Sequence, residues 1–530
     1  MKRSIGWVAC VLALALGGAA EAQEPRKGGT LRLTAPYGAS FNSLDIHTTP
    51  RAQDGIYARI LHRTLYKWDS VANKPVLELA RDVTVSGGGL VYTYKLRDDA
   101  YFHNGRRMTA DDVVWSFTRL MDGSKGFPGA RYARLIKGAV DVEKGQAKEI
   151  SGLRKIDDFT LEVTLTDKTD PGFSWISDTT AILPREAVED GSMTARPIGL
   201  GPFKFVEHVP GSRLVVERWD RFYKPGRPHL DKIVISIMGE AAARDVAFRS
   251  KEIDTSILGG AQYAAYQADP ALSKNLLEVA EVFTRNMGFN REHKPFADKR
   301  VRQAINHAID ADLIIKRLVK DKAFRATSWL PLTSPAYDKE MKPYAFDPER
   351  AKKLLADAGY PNGFEFEWTT SQNESWGLPI VEAVIPMLAR AGIKVKVRQV
   401  EAAVLSEIIL KGDFQAYIWS NQTGPDPLAV MKCFYSKTPR TACNYTQFNN
   451  PAYDKLIEDA GQAADAAQQL ALLKQANALL YEEAPVWFFN YNKAVMAYQP
   501  WVKGLQANAT ELTHQYGEDL WVDATSPLAK

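Results

Sequence analysis

The sequence predicts a mixed α/β chain made of two successive units, and three observations carry that prediction. Between Leu90 and Phe117 an alternating strand runs into an amphipathic helix. From about Asn286 the pattern changes to longer helices alternating with short strands. No internal repeat and no low-complexity tether separates the two regimes, so the units are expected to be joined by strand crossings. The 530 residues allow for roughly three or four folding units of about 150 residues each.

Along the first unit, Leu90 to Leu96 alternates in sidedness after the turn Gly87-Gly88-Gly89. Thr109 then caps a helix whose Val113, Phe117 and Leu120 recur at helical spacing, with Asp112 completing a capping-box variant. Strands are expected at Thr160 to Leu165, at Phe203 to His208 turning through Pro210-Gly211 into Leu214 to Trp219, and at Ile233 to Met238, before a helix from Ala242 to Arg249. In the second unit, helices are predicted at 298–309, 348–358, 378–391 and 402–411, and strands at 364–369, 394–400 and 416–420. That alternation predicts parallel βαβ units. Long Ala- and Leu-rich helices fill 451–483, an aromatic run follows from Val486 to Tyr491, and the final thirty or so residues are too few to fold alone and are expected to return to the first unit.

Lys2 and Arg3, an apolar stretch from Ile5 to about Leu16, and the A-x-A arrangement ending at Ala22 read as a cleavable export signal. Export leaves Cys433 and Cys443 as an even pair in an oxidising compartment, where a disulfide is expected. Lys and Arg exceed Asp and Glu by only four and are spread along the chain, which excludes a nucleic-acid footprint. No Gly-Lys dipeptide is present to build a phosphate loop, and Gly199-Leu200-Gly201-Pro202 lacks the third glycine of a dinucleotide turn. There is no G-x-S-x-G elbow and no H-E-x-x-H pair. His47 near Asp45, and His293 beside Glu292, are weak metal candidates, and Asp98-Asp99 and Asp111-Asp112 suit capping better than acid-base work. The expectation is therefore no catalytic residue, no metal and no cofactor.

The run from Leu96 to Phe117, LRDDAYFHNGRRMTADDVVWSF, resembles the signature of the peptide/nickel class (family 5) of solute-binding proteins of ABC importers. Gly28-Gly29-Thr30-Leu31, Gly199 to Phe203, Pro228-His229-Leu230-Asp231, Phe289-Asn290 with Pro295-Phe296, and Asp347-Pro348 through Ala358-Gly359-Tyr360 extend the resemblance along most of the chain. It implies a two-lobed periplasmic-binding-protein-like fold (type II, cluster C) that closes on a solute. By that reading residues 23–285 with 495–530 form lobe I, with an extra subdomain at about 67–198, and residues 286–494 form lobe II, with hinge crossings at about 284–289 and 490–496. The resemblance also implies a monomeric periplasmic carrier serving ABC permease subunits and a separate ATPase. Arg97, His103, Gly105 and Asp111 of the signature are expected to shape the subdomain.

The resemblance places ligand contacts at Phe41, Asn42 and Ser43, at Trp368, Thr370 and Trp376, and at Trp419, Asn421, Gln422 and Thr423. Dipeptide- and oligopeptide-binding relatives carry an aspartate before the Asp-Pro that is Asp426-Pro427 here, and dipeptide binders add an arginine in the preceding loop. This chain reads Asn421-Gln422-Thr423 instead, and 369–376 contains no Arg or Lys, though Glu374 is placed to face a cation. Peptides held through their backbone lead; opine-like, sugar-containing or chelated-metal solutes come next. A periplasmic hydrolase and a chemoreceptor-linked sensor are the readings from other classes.

Overall fold

The computed structural model describes residues 24–35, 41, 43–49, 54–372, 376–422, 424 and 426–529, and at 402, 403 and 422 the backbone alone. The expected signal segment, Asn42, Glu374 and Thr423 lie outside the described residues.

The first lobe is built on a four-stranded sheet in the order Thr30–Ala35, Lys232–Ile237, Arg213–Arg218, Phe203–Val209, whose first pair is parallel and whose others are antiparallel. Leu31, Leu33, Ile233, Ile235, Leu214 and Val216 alternate inward from these strands and pack on Ile56, Ile60 and Leu61 of the helix Gly55–Leu61. The chain's end returns here as expected: Trp501, Val502, Leu520 and Val522 join the same core, and Thr30 N–H donates to Leu528 O at 3.0 Å.

A separate antiparallel sheet, in the order Ala80–Ser86, Val91–Leu96, Thr160–Thr164, Leu153–Asp157, forms the subdomain. Helix Ala110–Leu120 covers it with Val113, Phe117 and Leu120, and the backbone N–H of Thr109 donates to Asp112 Oδ2 at 2.8 Å, which realises the capping box. The signature residues act as scaffold. Arg97 donates to Asp99 at 3.0 Å and lies over the Tyr223 ring at 4.3 Å, and Arg106 bridges Asp112 and Glu186. His103 binds the backbone of Gly199 and Gly201, and both glycines are required there, because a Cβ on either would overlap a carbonyl oxygen of Leu61 or Ile60.

The second lobe hangs on a mixed sheet in the order Thr255–Ile257, Val486–Tyr498, Leu276–Phe289, Ala416–Gln422, Glu365–Thr370, Lys394–Gln399, with Ala323–Arg325 beside Val486–Tyr498. The expectation of parallel βαβ units holds only for its outer part, where Glu365–Thr370 is parallel to both neighbours. It fails at Leu276–Phe289, which runs antiparallel to Ala416–Gln422 and to Val486–Tyr498. The aromatic run after Pro485 enters from a helix and continues straight back through the sheet, which sets its direction against the strands that precede it.

The two long strands, Leu276–Phe289 and Val486–Tyr498, link different cores. Val495 and Ala497 pack with Phe248, Tyr263 and Tyr266. At the other end Met287, Phe289, Trp487 and Phe489 enter one core of the second lobe while Val486 and Phe488 enter another on the opposite face. Their register shifts between Ala280 and Thr284 and again between Arg285 and Asn286. Three cores therefore share one ladder whose register is broken at two places near its middle.

The predicted disulfide is present between Cys433 and Cys443. Its loop is short, so the chain-entropy model allows it at most about 2.5 to 3 kcal/mol, acting locally. Among the described residues no helix is long and apolar enough to cross a membrane.

Candidate functional site

Strand Ala416–Gln422 ends beside the irregular stretch of the long strands, with Gln422 opposite Phe283, Asn421 opposite Thr284, Ser420 opposite Arg285 and Trp419 opposite Asn286. The strand pattern delivers these residues: Ile418 is buried in the lobe core, while Tyr417 and Trp419 turn to the other face, toward Leu405, Ile408 and Ile409. Trp376 meets Trp419 there, with ring centroids 5.5 Å apart at 61°, and both rings keep partial exposure. An aromatic corner beside unsatisfied amides suits a polar solute with flat or apolar faces. Asn421 Nδ2 is buried and has no hydrogen-bond partner among the described residues. Asn490, opposite Arg285, is fully buried with both amide atoms in the same state, and Asn286 Oδ1 shares it.

The other expected contacts lie elsewhere. Trp368 is fully buried in the second-lobe core beside Phe366 and offers no surface. Thr370 is also fully buried, its hydroxyl donating to Ser371 O at 3.3 Å. Phe41 is buried in the first-lobe core, edge-on to Tyr57 at 4.9 Å and near His208. The Ser43 hydroxyl accepts from Asp45 N–H at 3.1 Å, and Ser43 O accepts from Tyr57 OH at 3.0 Å. The structure thus brings Trp376, Trp419, Asn421 and the end of the strand at Gln422 together, and uses Trp368, Thr370 and Phe41 for packing. His47, weighed as a metal ligand, is a buried structural residue whose Nε2 pairs with Ala181 O at 2.8 Å; burial, then Arg119, lowers its pKa to about 4.

Sequence reasoning missed a group of charged side chains at the irregular stretch itself. Glu281 accepts from Leu512 N–H at 2.9 Å and from Asn492 Nδ2 at 2.6 Å, and Asn492 Oδ1 accepts from Arg285 Nη2 at 2.8 Å. Lys322 donates to Lys493 O at 2.9 Å, and Lys493 lies 3.6 Å from Glu278. Glu511, from the returning tail, accepts from the Thr513 hydroxyl at 3.2 Å. Burial and then the neighbouring Glu281 push the Glu511 carboxyl up to about 8, and burial also raises Glu281. Burial, then Arg285, brings Lys322 down to about 8 against the pull of Glu281 and Glu511. The signal available was Glu278, Glu281 and Arg285 interrupting a strand rich in apolar residues.

Farther out, the subdomain meets the second lobe. Asn73 Nδ2 donates to Thr333 O at 2.6 Å, and Asp170 and Phe173 face Asp426, Leu428 and Gln469 across a cavity of about 140 Å³. Burial raises both Asp426, which caps the helix Pro427–Met431, and Asp170; the Asp170 carboxylate raises Asp426 further.

The sequence model described as bacterial extracellular solute-binding proteins, family 5 Middle, matches residues 74–442. Heme-binding protein A of Haemophilus influenzae is 30% identical over 480 residues, 85% of this chain and 84% of that protein. The oligopeptide-binding protein AppA of Bacillus subtilis is 29% identical over 507 residues, 90% and 88% of the two chains. The solved structure of HbpA2 from Haemophilus parasuis superposes with a TM-score of 0.81 at 23% identity, covering 93% of this chain and all of that one, and so shares its two-lobed fold.

Proposed function

The chain belongs to the bacterial extracellular solute-binding proteins of family 5, and on that premise we propose that it captures a peptide or a similar small polar solute between its lobes. It then hands the solute to the permease subunits of an ABC importer driven by a separate ATPase. It works as an exported, periplasmic monomer whose signal is removed near Ala22, and it performs no chemistry on its cargo.

The observation that carries this reading is the junction of the long strands with the end of Ala416–Gln422. It sets the half-exposed Trp376 and Trp419, and the unsatisfied Asn421 amide, beside the irregular register of the ladder. A solute there touches the element that must bend when the lobes close, so binding energy is spent directly on closure. Lobe I is residues 23–285 with 495–530, including the subdomain 67–198; lobe II is 286–494; and 284–289 with 490–496 are the hinge. The name of AppA, an oligopeptide-binding protein, supports peptides as the solute class.

Calorimetric titration with dialanine, trialanine and tetraalanine tests the reading. Saturable one-to-one binding is expected, weakened about tenfold or more by Trp419→Ala or Asn421→Ala with little change in melting temperature. Unchanged affinity in both variants removes the pocket from this place, and formation of free alanine would make the protein a hydrolase instead.

A further inference from the structure

The crevice between the subdomain and the second lobe carries an excess of one charge, and the solute contacts considered above make no use of it. Its two adjoining cavities, of about 140 and 330 Å³, share Thr169, Asp170, Ala466 and Gln469. The charged side chains lining them are Lys168 and Asp170 from the subdomain, and Asp426 and Asp465 from the second lobe. Three carboxylates are thus set against one ammonium, and they come from both sides of the gap.

The hydrogen bonds of these carboxylates are local. Asp170 Oδ1 accepts from Gly172 N–H at 2.8 Å. Asp426 Oδ1 accepts from Leu428 N–H at 2.9 Å and from Ala429 N–H at 3.3 Å, and Asp465 Oδ1 accepts from Gln468 N–H at 2.8 Å. Each carboxylate therefore serves its own turn or helix start, and among the described residues none of the three is in an ion pair. Asp170 and Asp426 line the smaller cavity from opposite sides, and Phe173, Leu428 and Leu470 make its walls apolar. Bringing the subdomain onto the second lobe, where Asn73 bonds Thr333, therefore opposes two like charges across an apolar gap with no side-chain cation between them. Asp170 keeps an exposed edge and Asp426 a partly exposed one, so both can exchange protons with water. Desolvation by the two walls raises both carboxyls; at Asp426 the backbone donors and Lys432 oppose that rise and Asp170 adds to it.

We propose that Asp170 and Asp426 form a proton-operated latch: once one of the pair is protonated the subdomain rests closed on the second lobe, and with both ionised the two part more readily. This rests on the two-lobed reading and adds a control on closure that does not depend on which solute is carried. The other titratable and charged groups around the pair are Lys168, Tyr66, Tyr92 and Tyr94 on the subdomain side, and Asp465 and Lys432 on the second-lobe side. The three tyrosines, raised by burial, keep their protons throughout the acid and neutral range.

The test is single-molecule energy transfer in the solute-free protein between dyes on Lys144→Cys in the subdomain and Gln475→Cys in the second lobe, both exposed positions. Cys433 and Cys443 are joined to each other and do not compete for label. As pH falls from about 7.5 to about 4.5, the ratio of closed to parted wild-type molecules is expected to rise about threefold or more. Asp170→Asn and Asp426→Asn each keep the acceptor oxygen of the local bond. Each is expected to be closed to that extent already at pH 7.5 and to lose the response, and the double variant adds nothing further. Asp465→Asn keeps the wild-type response. Circular dichroism confirms that each variant is folded across the range. A wild-type distance that ignores pH, a response that survives both single variants, or one that disappears in Asp465→Asn, overturns the inference. Calorimetry with trialanine reads peptide capture separately, so the latch can fail while that reading stands.

Discussion

The molecule carries two clusters of buried charge that are built on opposite principles. Inside the first lobe, Arg63 pairs with Glu518 at 2.6 Å and Glu78 at 3.2 Å, and Lys224 pairs with the same two carboxylates at 2.8 and 2.7 Å. Lys67 approaches Glu518 at 3.4 Å, and Tyr223 OH donates to Glu78 at 2.5 Å. Burial works to raise the Glu518 carboxyl, but Arg63, Lys224 and Lys67 overcome it and hold the group far below the ordinary carboxylate range; Glu78 is lowered by the same cations. At the strand junction the balance runs the other way, with Glu281 and Glu511 raised and Lys322 lowered. Desolvation is offset by pairing in the first cluster and left standing in the second. The first ties the returning tail to the lobe, and in the second burial drives both kinds of group toward neutrality.

The largest effect should come from breaking the saturated cluster. Glu518→Ala leaves Arg63, Lys224 and Lys67 with Glu78 as the one remaining carboxylate, in a site where Arg63 and Glu78 are almost wholly buried. A loss of about 3 to 5 kcal/mol in urea unfolding is expected. A change below about 1 kcal/mol would mean that the cluster contributes far less than its geometry implies.

Acid should act next, and through different groups. His47 and His62 are lowered by burial to about 4, and His103 to about 3. A histidine with a depressed folded pKa contributes stability above its unfolded value near 6.5, and that contribution is lost as pH falls toward the folded value. Stability is expected to drop by about a few kcal/mol between pH 6.5 and 4. The saturated cluster follows only below about pH 4, where Glu518 and Glu78 would have to take up protons. A flat profile from pH 7 to 4.5 would contradict the buried neutral imidazoles.

The smallest effect sharpens the contrast most. Glu511→Gln replaces a carboxyl that keeps its proton with a neutral isostere, so near pH 5 the variant should lie within about 1 kcal/mol of wild type. Its difference from wild type should nevertheless depend on pH. Folded wild type keeps a proton that an unfolded glutamate releases near 4.3, so wild type loses stability relative to the variant as pH rises from 5 to 8. Parallel pH curves for the two proteins would place Glu511 among ordinary ionised carboxylates.

Much of this architecture was legible in the sequence. The strand after Gly87-Gly88-Gly89, the helix capped by Thr109 and the helix Ala402–Lys411 appear where periodicity and caps set them. So does the pairing of Cys433 with Cys443. The candidate site was only half legible. Trp419 and Trp376 were placed together by the family resemblance, and the two rings do meet in the fold. Trp368 was placed on the same wall by the same resemblance, yet it is buried in the second-lobe core, because a resemblance locates a strand end without saying which face of it meets solvent. The junction charges escaped because Glu281, Lys322 and Glu511 come from distant parts of the chain. Nothing local marks them as neighbours until the long strands and the returning tail bring them together. The direction of Val486–Tyr498 was hidden for a related reason, since an apolar run reads the same whether its ladder is parallel or antiparallel.

The central claim is that a peptide is held between the lobes where the strand Ala416–Gln422 meets the long strands. It is tested most directly by native mass spectrometry of the protein taken undenatured from the periplasm, followed by release and identification of what travels with it. The account predicts a series of bound masses differing by amino-acid residues, and their loss from the Trp419→Ala variant. A single bound molecule that is not a peptide, or peptides retained by that variant, would contradict it.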